Sequence, residues 1–133
     1  MGERFLQIGC SDKALLAGLS SKVGLSGTAA VAALDTRQAE LAESIGRKTG
    51  TLIDVRTVAA GDAWPFDAAA FDMVVIDDTR DAFATVAALP QLLSHALHSL
   101  RAGGRIEVVT PITSAHPQFD HTQALARAGF QPV

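Results

Sequence analysis

Short apolar runs alternate with amphipathic segments along the whole chain, and this alternation restricts the possible folds more than any other feature. The apolar runs contain few polar residues, which is typical of strands covered by helices on both faces. The segments between them repeat apolar residues at helical spacing. Five strands are predicted, around residues 5–8, 28–34, 52–58, 71–76 and 105–110. The pattern predicts an α/β fold with a doubly wound, mostly parallel sheet between two layers of helices.

Capping residues and helix breakers predict where several helices begin and end. Thr36 is the predicted N-cap of the helix after the second strand, and Gly50 lies just beyond its end. Pro90 fits the first turn of a helix that residues 103–104, both glycine, interrupt. Gly129 ends the last helix. The third strand is more polar than the others, as an edge strand can be.

Length and charge exclude several classes of protein. The 133 residues are the size of one domain, which we expect to span residues 1–133. Eleven basic and 14 acidic residues give a net charge of −3 without a basic run, so neither nucleic acid nor an anionic membrane is expected as a partner. No apolar run approaches the roughly 20 residues that span a bilayer. Cys10 is the single cysteine, so we expect a cytoplasmic protein without disulfides.

Ligands of such sheets bind outside the carboxyl ends of the strands. Four polar or glycine-containing segments follow strands here, at residues 9–13, 35, 61–63 and 77–79. Asp35 follows the second strand, where a carboxylate can accept hydrogen bonds from both hydroxyls of a ribose. The same residue precedes a helix and could instead stabilise its N-terminus. The residues leave both interpretations open.

Five segments, in order along the chain, resemble the class I S-adenosylmethionine-dependent methyltransferases. The resemblance is to the small-molecule group (methyltransferase type 11-like) with a Gly-Asp-Ala-x-x-x-Pro-Phe loop. The matching segments are Gly9-Cys10-Ser11-Asp12, Asp35, Gly61-Asp62-Ala63 with Pro65-Phe66, Phe71-Asp72-Met73-Val74-Val75, and Leu100-Arg101-Ala102-Gly103-Gly104-Arg105. No single motif is specific, but five in this order are more specific together.

The resemblance implies a Rossmann-like sheet and S-adenosylmethionine as cofactor. It implies methyl transfer to a small molecule that the sequence does not identify. Direct displacement needs alignment of donor and acceptor, so no catalytic residue is assigned. No metal site is expected. The implied cofactor-binding residues are Gln7, Gly9, Cys10, Ser11, Asp35, Thr36, Gly61, Asp62, Ala63 and Asp77.

The chain also departs from the family pattern. Gln7 stands where the family has Asp or Glu, and Ser11 and Lys13 replace glycines. Family members continue past the fifth helix with two more strands, so we expect a truncated or degenerate member with that strand pair missing or incomplete. These departures favour an alternative, a non-catalytic methyltransferase-like domain that serves as a binding or assembly module.

A third interpretation is a domain that binds NAD(P). Gly9-x-Ser11-x-x-Ala14 followed by Asp35 is a partial fingerprint of that kind. The first loop and Asp35 barely separate this interpretation from a methyltransferase. Two other segments distinguish the interpretations and favour the methyltransferase, namely Gly61-Asp62-Ala63 and the Ala102-Gly103-Gly104 turn.

The sequence also suggests roles for the sheet edge, an acidic pair, two histidines and the tryptophan. A fifth strand at the sheet edge would expose apolar residues, so we expect a homo-oligomer or a partner that pairs along residues 105–110. Asp77-Asp78 is interpreted as an acidic loop beside the substrate rather than a metal site. His95 and His98 are expected on a helix surface. Trp64 is expected to pack against the sheet.

Overall fold

The chain forms a sheet with helices on both sides. A computed structural model describes residues 4–10, 15–18, 28–50, 52–58, 64–78, 89–110 and 121–130. The strands are β1 (Arg4–Ile8), β2 (Thr28–Ala33), β3 (Ile53–Thr57), β4 (Phe71–Asp77) and β5 (Leu100–Val109). The helices are α1 (Thr36–Thr49), α2 (Leu89–Ser99) and α3 (His121–Ala128), and residues 15–18 are also helical. Within these ranges, no helix combines the length and apolar character needed to cross a membrane.

The sheet has the strand order β3-β2-β1-β4-β5, and every neighbouring pair is parallel. The order reverses between β1 and β4, so the crevice between their carboxyl ends is the topological switch point. The α/β fold with a doubly wound, mostly parallel sheet is thereby confirmed. The edge position of β3 is confirmed as well.

Two apolar clusters cover the two faces of the sheet. Leu6 and Ile8 of β1 face a cluster that includes Leu93 and Ala96 of α2. Phe5 faces the other cluster, to which α1 contributes buried apolar residues. β1 and β4 therefore lie at the centre of the core, as their nearly continuous apolar sequences predict.

Helix α1 begins one residue earlier than predicted. Asp35, not Thr36, is the N-cap: its backbone is extended (φ −155°, ψ 174°) and its Oδ1 accepts a hydrogen bond from the Gln38 backbone N–H at 2.8 Å. The prediction was wrong because Asp and Thr both serve as caps and their order in the chain does not decide between them. Gly50 ends α1 in the left-handed conformation (φ 70°), as predicted.

β5 begins at Leu100, five residues before the predicted strand, and contains a bulge. Leu100 lies opposite Phe71 and Arg105 lies opposite Met73, so residues 101–104 form an irregular stretch beside β4. Gly103 adopts φ 79°, which favours glycine. The prediction missed this stretch because two adjacent glycines are as typical of a turn as of a bulge.

The amino edge of the sheet carries an ion cluster centred on Asp72 of β4. Its carboxylate accepts hydrogen bonds from the backbone N–H of Arg4 (2.9 Å) and from Arg101 Nε (2.6 Å), so it links the starts of β1, β4 and β5. The backbone and side-chain hydrogen bonds from Arg4, with that from Arg101, hold the pKa of Asp72 well below its usual range. This cluster lies at the opposite edge from the strand ends where ligands bind, so we assign it a structural role.

An aromatic group packs beside β4, and it corrects the interpretation of His95. Trp64 donates a hydrogen bond from Nε1 to the buried Ser99 Oγ (2.7 Å) and contacts Phe66 edge-on. His95 stacks on Trp64 with ring centroids 5.1 Å apart. His95 is therefore a partly buried stacking residue, whereas His98 is exposed as expected. The packing role of Trp64 is confirmed.

Candidate binding site at the carboxyl edge of the sheet

The turn after β1 lies at the switch point and is held between two neighbouring strands. The Gly9 N–H donates to the Ala32 carbonyl oxygen of β2 at 2.9 Å. On the other side, a Cβ added to Gly9 would lie 3.2 Å from the Asp77 carbonyl oxygen of β4, and Gly9 adopts φ 81°. Glycine is therefore required here by the backbone conformation and the packing of the strands. Its presence is explained without any contact to a ligand.

Gln38, in the first turn of α1, connects this turn to the one after β2. Its side-chain Oε1 accepts hydrogen bonds from the backbone N–H groups of Cys10 (3.2 Å) and Leu34 (2.9 Å). One carboxamide oxygen thus holds the ends of two neighbouring strands in a fixed relation. Since Asp35 lies beside Leu34, Gln38 also fixes how the first loop and Asp35 are placed relative to each other.

The contacts of Gln38 were not predicted, although the sequence carries a local signal for this residue. Asp35-Thr36-Arg37-Gln38 has the spacing of a capping box, in which the Gln side chain returns to the backbone N–H of the N-cap. In the structure the Gln38 side chain instead reaches the residue before the cap and a loop 28 residues earlier in the chain. The second contact is tertiary, and no local pattern predicts it.

Gln7 supplies an unpaired hydrogen-bond acceptor within the protein. The residue is fully buried, and its Nε2 donates to the Gly9 carbonyl oxygen at 2.9 Å. Its Oε1 has no hydrogen-bond partner among the described residues. A buried acceptor without a donor costs about 1–3 kcal/mol, so this oxygen calls for a donor that the described residues do not supply.

The structure shows one of the two roles that the sequence context of Asp35 left open, the capping of a helix. One carboxylate oxygen, Oδ1, caps α1 as described. The side chain is exposed, and Oδ2 makes no hydrogen bond to any described residue. The cap therefore orients the carboxylate at the end of β2 and leaves one oxygen available to a ligand hydroxyl. Thr36, the neighbouring candidate, is exposed as well.

Two acidic residues follow β4 on the other side of the switch point. Asp77 and Asp78 are 6% and 2% exposed, and both make polar contacts. The Asp78 N–H donates to the Val109 carbonyl oxygen (2.8 Å), which joins the ends of β4 and β5. The structure therefore brings together Gln7, Gly9, Cys10, Asp35, Thr36 and Asp77 of the candidate residues. Within the described ranges no three potential metal ligands cluster.

The remaining candidates lie outside the described residues. They include the altered glycine positions of the first loop and the loop after β3, namely Ser11, Lys13, Gly61, Asp62 and Ala63. Cys10, the last described residue of the first loop, is 1% exposed and packs in the core cluster that α1 covers. Packing therefore accounts for this cysteine.

Solved structures with the same architecture are S-adenosylmethionine-dependent methyltransferases and a related cyclase. A SAM-dependent methyltransferase from Aquifex aeolicus is 14% identical over 98% of this chain, with a TM-score of 0.70. The [4+2]-cyclase SpnF is 17% identical over 96% of this chain, with a TM-score of 0.72. A geranyl diphosphate C-methyltransferase from Streptomyces coelicolor A3(2), solved with Mg²⁺, geranyl diphosphate and S-adenosyl-L-homocysteine, is 19% identical over 81% of this chain, with a TM-score of 0.62.

These comparisons show the fold. The chain has the class I S-adenosylmethionine-dependent methyltransferase fold, as its sequence motifs implied. It spans 73% of the Aquifex aeolicus protein but only 52% of SpnF and 39% of the Streptomyces coelicolor enzyme. No protein-family model matches the sequence, and a search of curated protein sequences finds no match.

Proposed function

We propose that the carboxyl edge of this sheet binds S-adenosylmethionine and that the protein transfers its methyl group to a small molecule. The observation that carries the proposal is the fully buried Oε1 of Gln7 at the switch point, to which no described residue donates a hydrogen bond. An ammonium group, such as that on the methionine part of the cofactor, is a donor that this acceptor lacks. The Streptomyces coelicolor enzyme was solved with S-adenosyl-L-homocysteine and the Aquifex aeolicus protein is a SAM-dependent methyltransferase, which supports the proposal.

The described residues fit the chemistry of this cofactor at two points. Gln7 would accept a hydrogen bond from the ammonium group, and Asp35 would accept one from a ribose hydroxyl through Oδ2. Gln7 carries no charge, so the negative charge at this edge comes from the exposed Asp35. A cationic ligand is favoured by such a charge.

The chain contributes position rather than acid–base chemistry in this account. S-adenosylmethionine supplies an electrophilic methyl group on a sulfonium, which an acceptor takes by direct displacement. Gln38 holds the two loops together and Asp35 is oriented by its own capping hydrogen bond, so both sides of the site are arranged before a ligand binds. Such preorganisation is the main requirement for aligning a donor and an acceptor.

Exchange of Asp35 for asparagine separates its two roles. Asparagine caps a helix as well as aspartate, so the free energy of unfolding of Asp35→Asn should stay within about 0.5 kcal/mol of that of the wild type. The affinity for S-adenosylhomocysteine, measured by calorimetric titration, should fall about tenfold because a charged acceptor is lost.

Asp35→Ala serves as the companion variant, since it removes the cap as well. It should lose about 1 kcal/mol of stability in addition to the loss of affinity. An unchanged affinity in Asp35→Asn would remove Asp35 from the binding site and restrict it to capping α1.

A second candidate function is a module that binds this ligand without transferring a methyl group. The neutral Gln7, at a position where the family has an acid, favours it. SpnF supports it further, because that protein is a [4+2]-cyclase with the same fold. Both candidates require that the carboxyl edge binds the cofactor.

A further inference from the structure

Strand β5 presents an unpaired edge. In the part of the chain that the structure describes, β5 pairs with β4 alone. The Val109 carbonyl oxygen accepts from Asp78 and therefore points toward β4. Because backbone groups alternate in direction along a strand, Ile106 and Val108 direct their N–H and C=O groups away from β4. These groups can pair with a further strand.

The side chains of β5 divide into a charged face and an apolar face. Arg105 and Glu107 are exposed on one face, where their side chains form an ion pair at 3.3 Å. Ile106 and Val108 lie on the other face, packed against the core cluster but only half-buried. The corresponding residues of β4, Val74 and Ile76, are 0% and 2% exposed. A strand beside β5 would bury the apolar area that now remains exposed.

We propose that the strand beside β5 is β5 of a second copy of this chain, antiparallel and with Ile106 on the two-fold axis. In this register Arg105 lies opposite Glu107 of the partner subunit, and Glu107 lies opposite Arg105 of the partner subunit. Opposite charges thus meet twice across the interface. Ile106 meets its own counterpart, and the outward N–H and C=O groups of both strands exchange hydrogen bonds.

The alternation of charges selects this register over the next symmetric one. With Glu107 on the axis, two glutamates would face each other across a pair without hydrogen bonds, where opposite Cα atoms are about 4.5 Å apart. Like charges in that position destabilise the pairing. Moving the axis by one residue, which shifts the pairing by two residues, therefore replaces two attractive contacts with a repulsive one.

The other edge strand of the sheet, β3, is better protected against pairing with a further strand. β3 has five residues against ten in β5, and three of the five are exposed. Short, polar edge strands are a common protection against pairing. β3 also carries an exposed ion pair, Asp54 with Arg56 at 2.8 Å, so it offers a matched control for charge changes on β5.

Charge reversal on β5 tests the proposal by sedimentation velocity on the full chain. The wild type should sediment as a dimer. R105E and E107R each place like charges opposite each other, so each should raise the dissociation constant of the dimer by about tenfold. An equimolar mixture of R105E and E107R restores opposite charges across the interface and should dimerise as well as the wild type. That mixture also shows that both variants are folded.

The double variant R105E/E107R exchanges the two charges and should regain the dimer, whereas R56D on β3 should leave it unchanged. The proposal is overturned if the wild type is monomeric at the highest concentration that stays in solution. It is also overturned if the mixture stays monomeric, or if R56D rather than the β5 variants dissociates the dimer.

Discussion

Replacing Gln38 by methionine is expected to lower the free energy of unfolding by about 2 kcal/mol, because two backbone donors lose their shared acceptor. Methionine preserves the length and helix propensity of the side chain but cannot accept from Cys10 and Leu34. The first loop and the start of α1 would then separate. Guanidinium chloride denaturation measures the effect as a lower midpoint. The affinity for S-adenosylhomocysteine should fall in the same variant.

Two control substitutions distinguish the loss of the two hydrogen bonds of Gln38, which bridge Cys10 and Leu34, from general effects on α1. Gln38→Glu keeps an oxygen in the same place and adds a negative charge near the N-terminus of α1, where the helix dipole favours it. Its stability should equal or exceed that of the wild type. Arg37→Met changes an exposed neighbour in the same helix turn and should be nearly neutral. Equal midpoints for Gln38→Met and the wild type would show that the bridge adds nothing to stability.

Gly104→Ala is expected to destabilise the protein by about 3 kcal/mol, which is the upper range for overpacking. A Cβ at this position would lie 2.8 Å from the backbone carbonyl oxygen of Asp72 and 2.7 Å from Leu100 Cδ1. The Leu100 side chain can rotate, but the Asp72 carbonyl oxygen belongs to β4 and cannot move without shifting the strand. Thermal and denaturant unfolding should both show the loss.

Gly18→Ala is the matched control for Gly104→Ala. Gly18 lies in the helical segment 15–18, and a Cβ there would meet no atom of the described residues within 4 Å. Alanine is favoured over glycine in helices, so stability should stay unchanged or rise by up to about 1 kcal/mol. A small effect of Gly104→Ala, comparable to that of Gly18→Ala, would contradict the close approach of the bulge to β4.

The arrangement of the sheet could be predicted because its physical cause lies in each segment separately. A strand buried on both faces needs a continuous apolar run, and residues 73–76 of β4 form one. Helix ends also depend on single residues: Pro90 lies in the first turn of α2, and Gly50 ends α1. Parallel pairing then follows from the alternation of strands and helices, as in the connection from β2 to β3 through α1 and that from β4 to β5 through α2.

The features that sequence reasoning missed are those that depend on contacts between distant segments. The bulge at residues 101–104 exists because β5 must pass Asp72 closely, and its glycines alone are equally consistent with a turn. His95 is half-buried because Trp64, 31 residues earlier, stacks on it. Gln38 likewise contacts Cys10, which lies 28 residues earlier in the chain. None of these contacts leaves a periodic pattern in its own segment.

The candidate site was predicted only in part for a similar reason. Motif order placed Gly9, Asp35 and Asp77 at neighbouring strand ends, and the structure brings them to the same edge of the sheet. Which atoms remain available to a ligand depends on local hydrogen bonds. Asp35 uses one oxygen as a helix cap, and Gln7 uses its nitrogen on Gly9 but leaves its oxygen unpaired. The sequence motif does not show which atoms of Asp35 and Gln7 are used within the protein and which remain for a ligand.

Calorimetric titration of the wild-type chain with S-adenosylmethionine and with S-adenosylhomocysteine tests the central claim most directly. The account predicts saturable binding at one site per chain, with a dissociation constant of about 1 mM or lower. Denaturant unfolding of the same sample verifies that the protein is folded. Absence of binding by both ligands at millimolar concentration, in a sample that unfolds cooperatively, would contradict the claim that this edge of the sheet is a cofactor site.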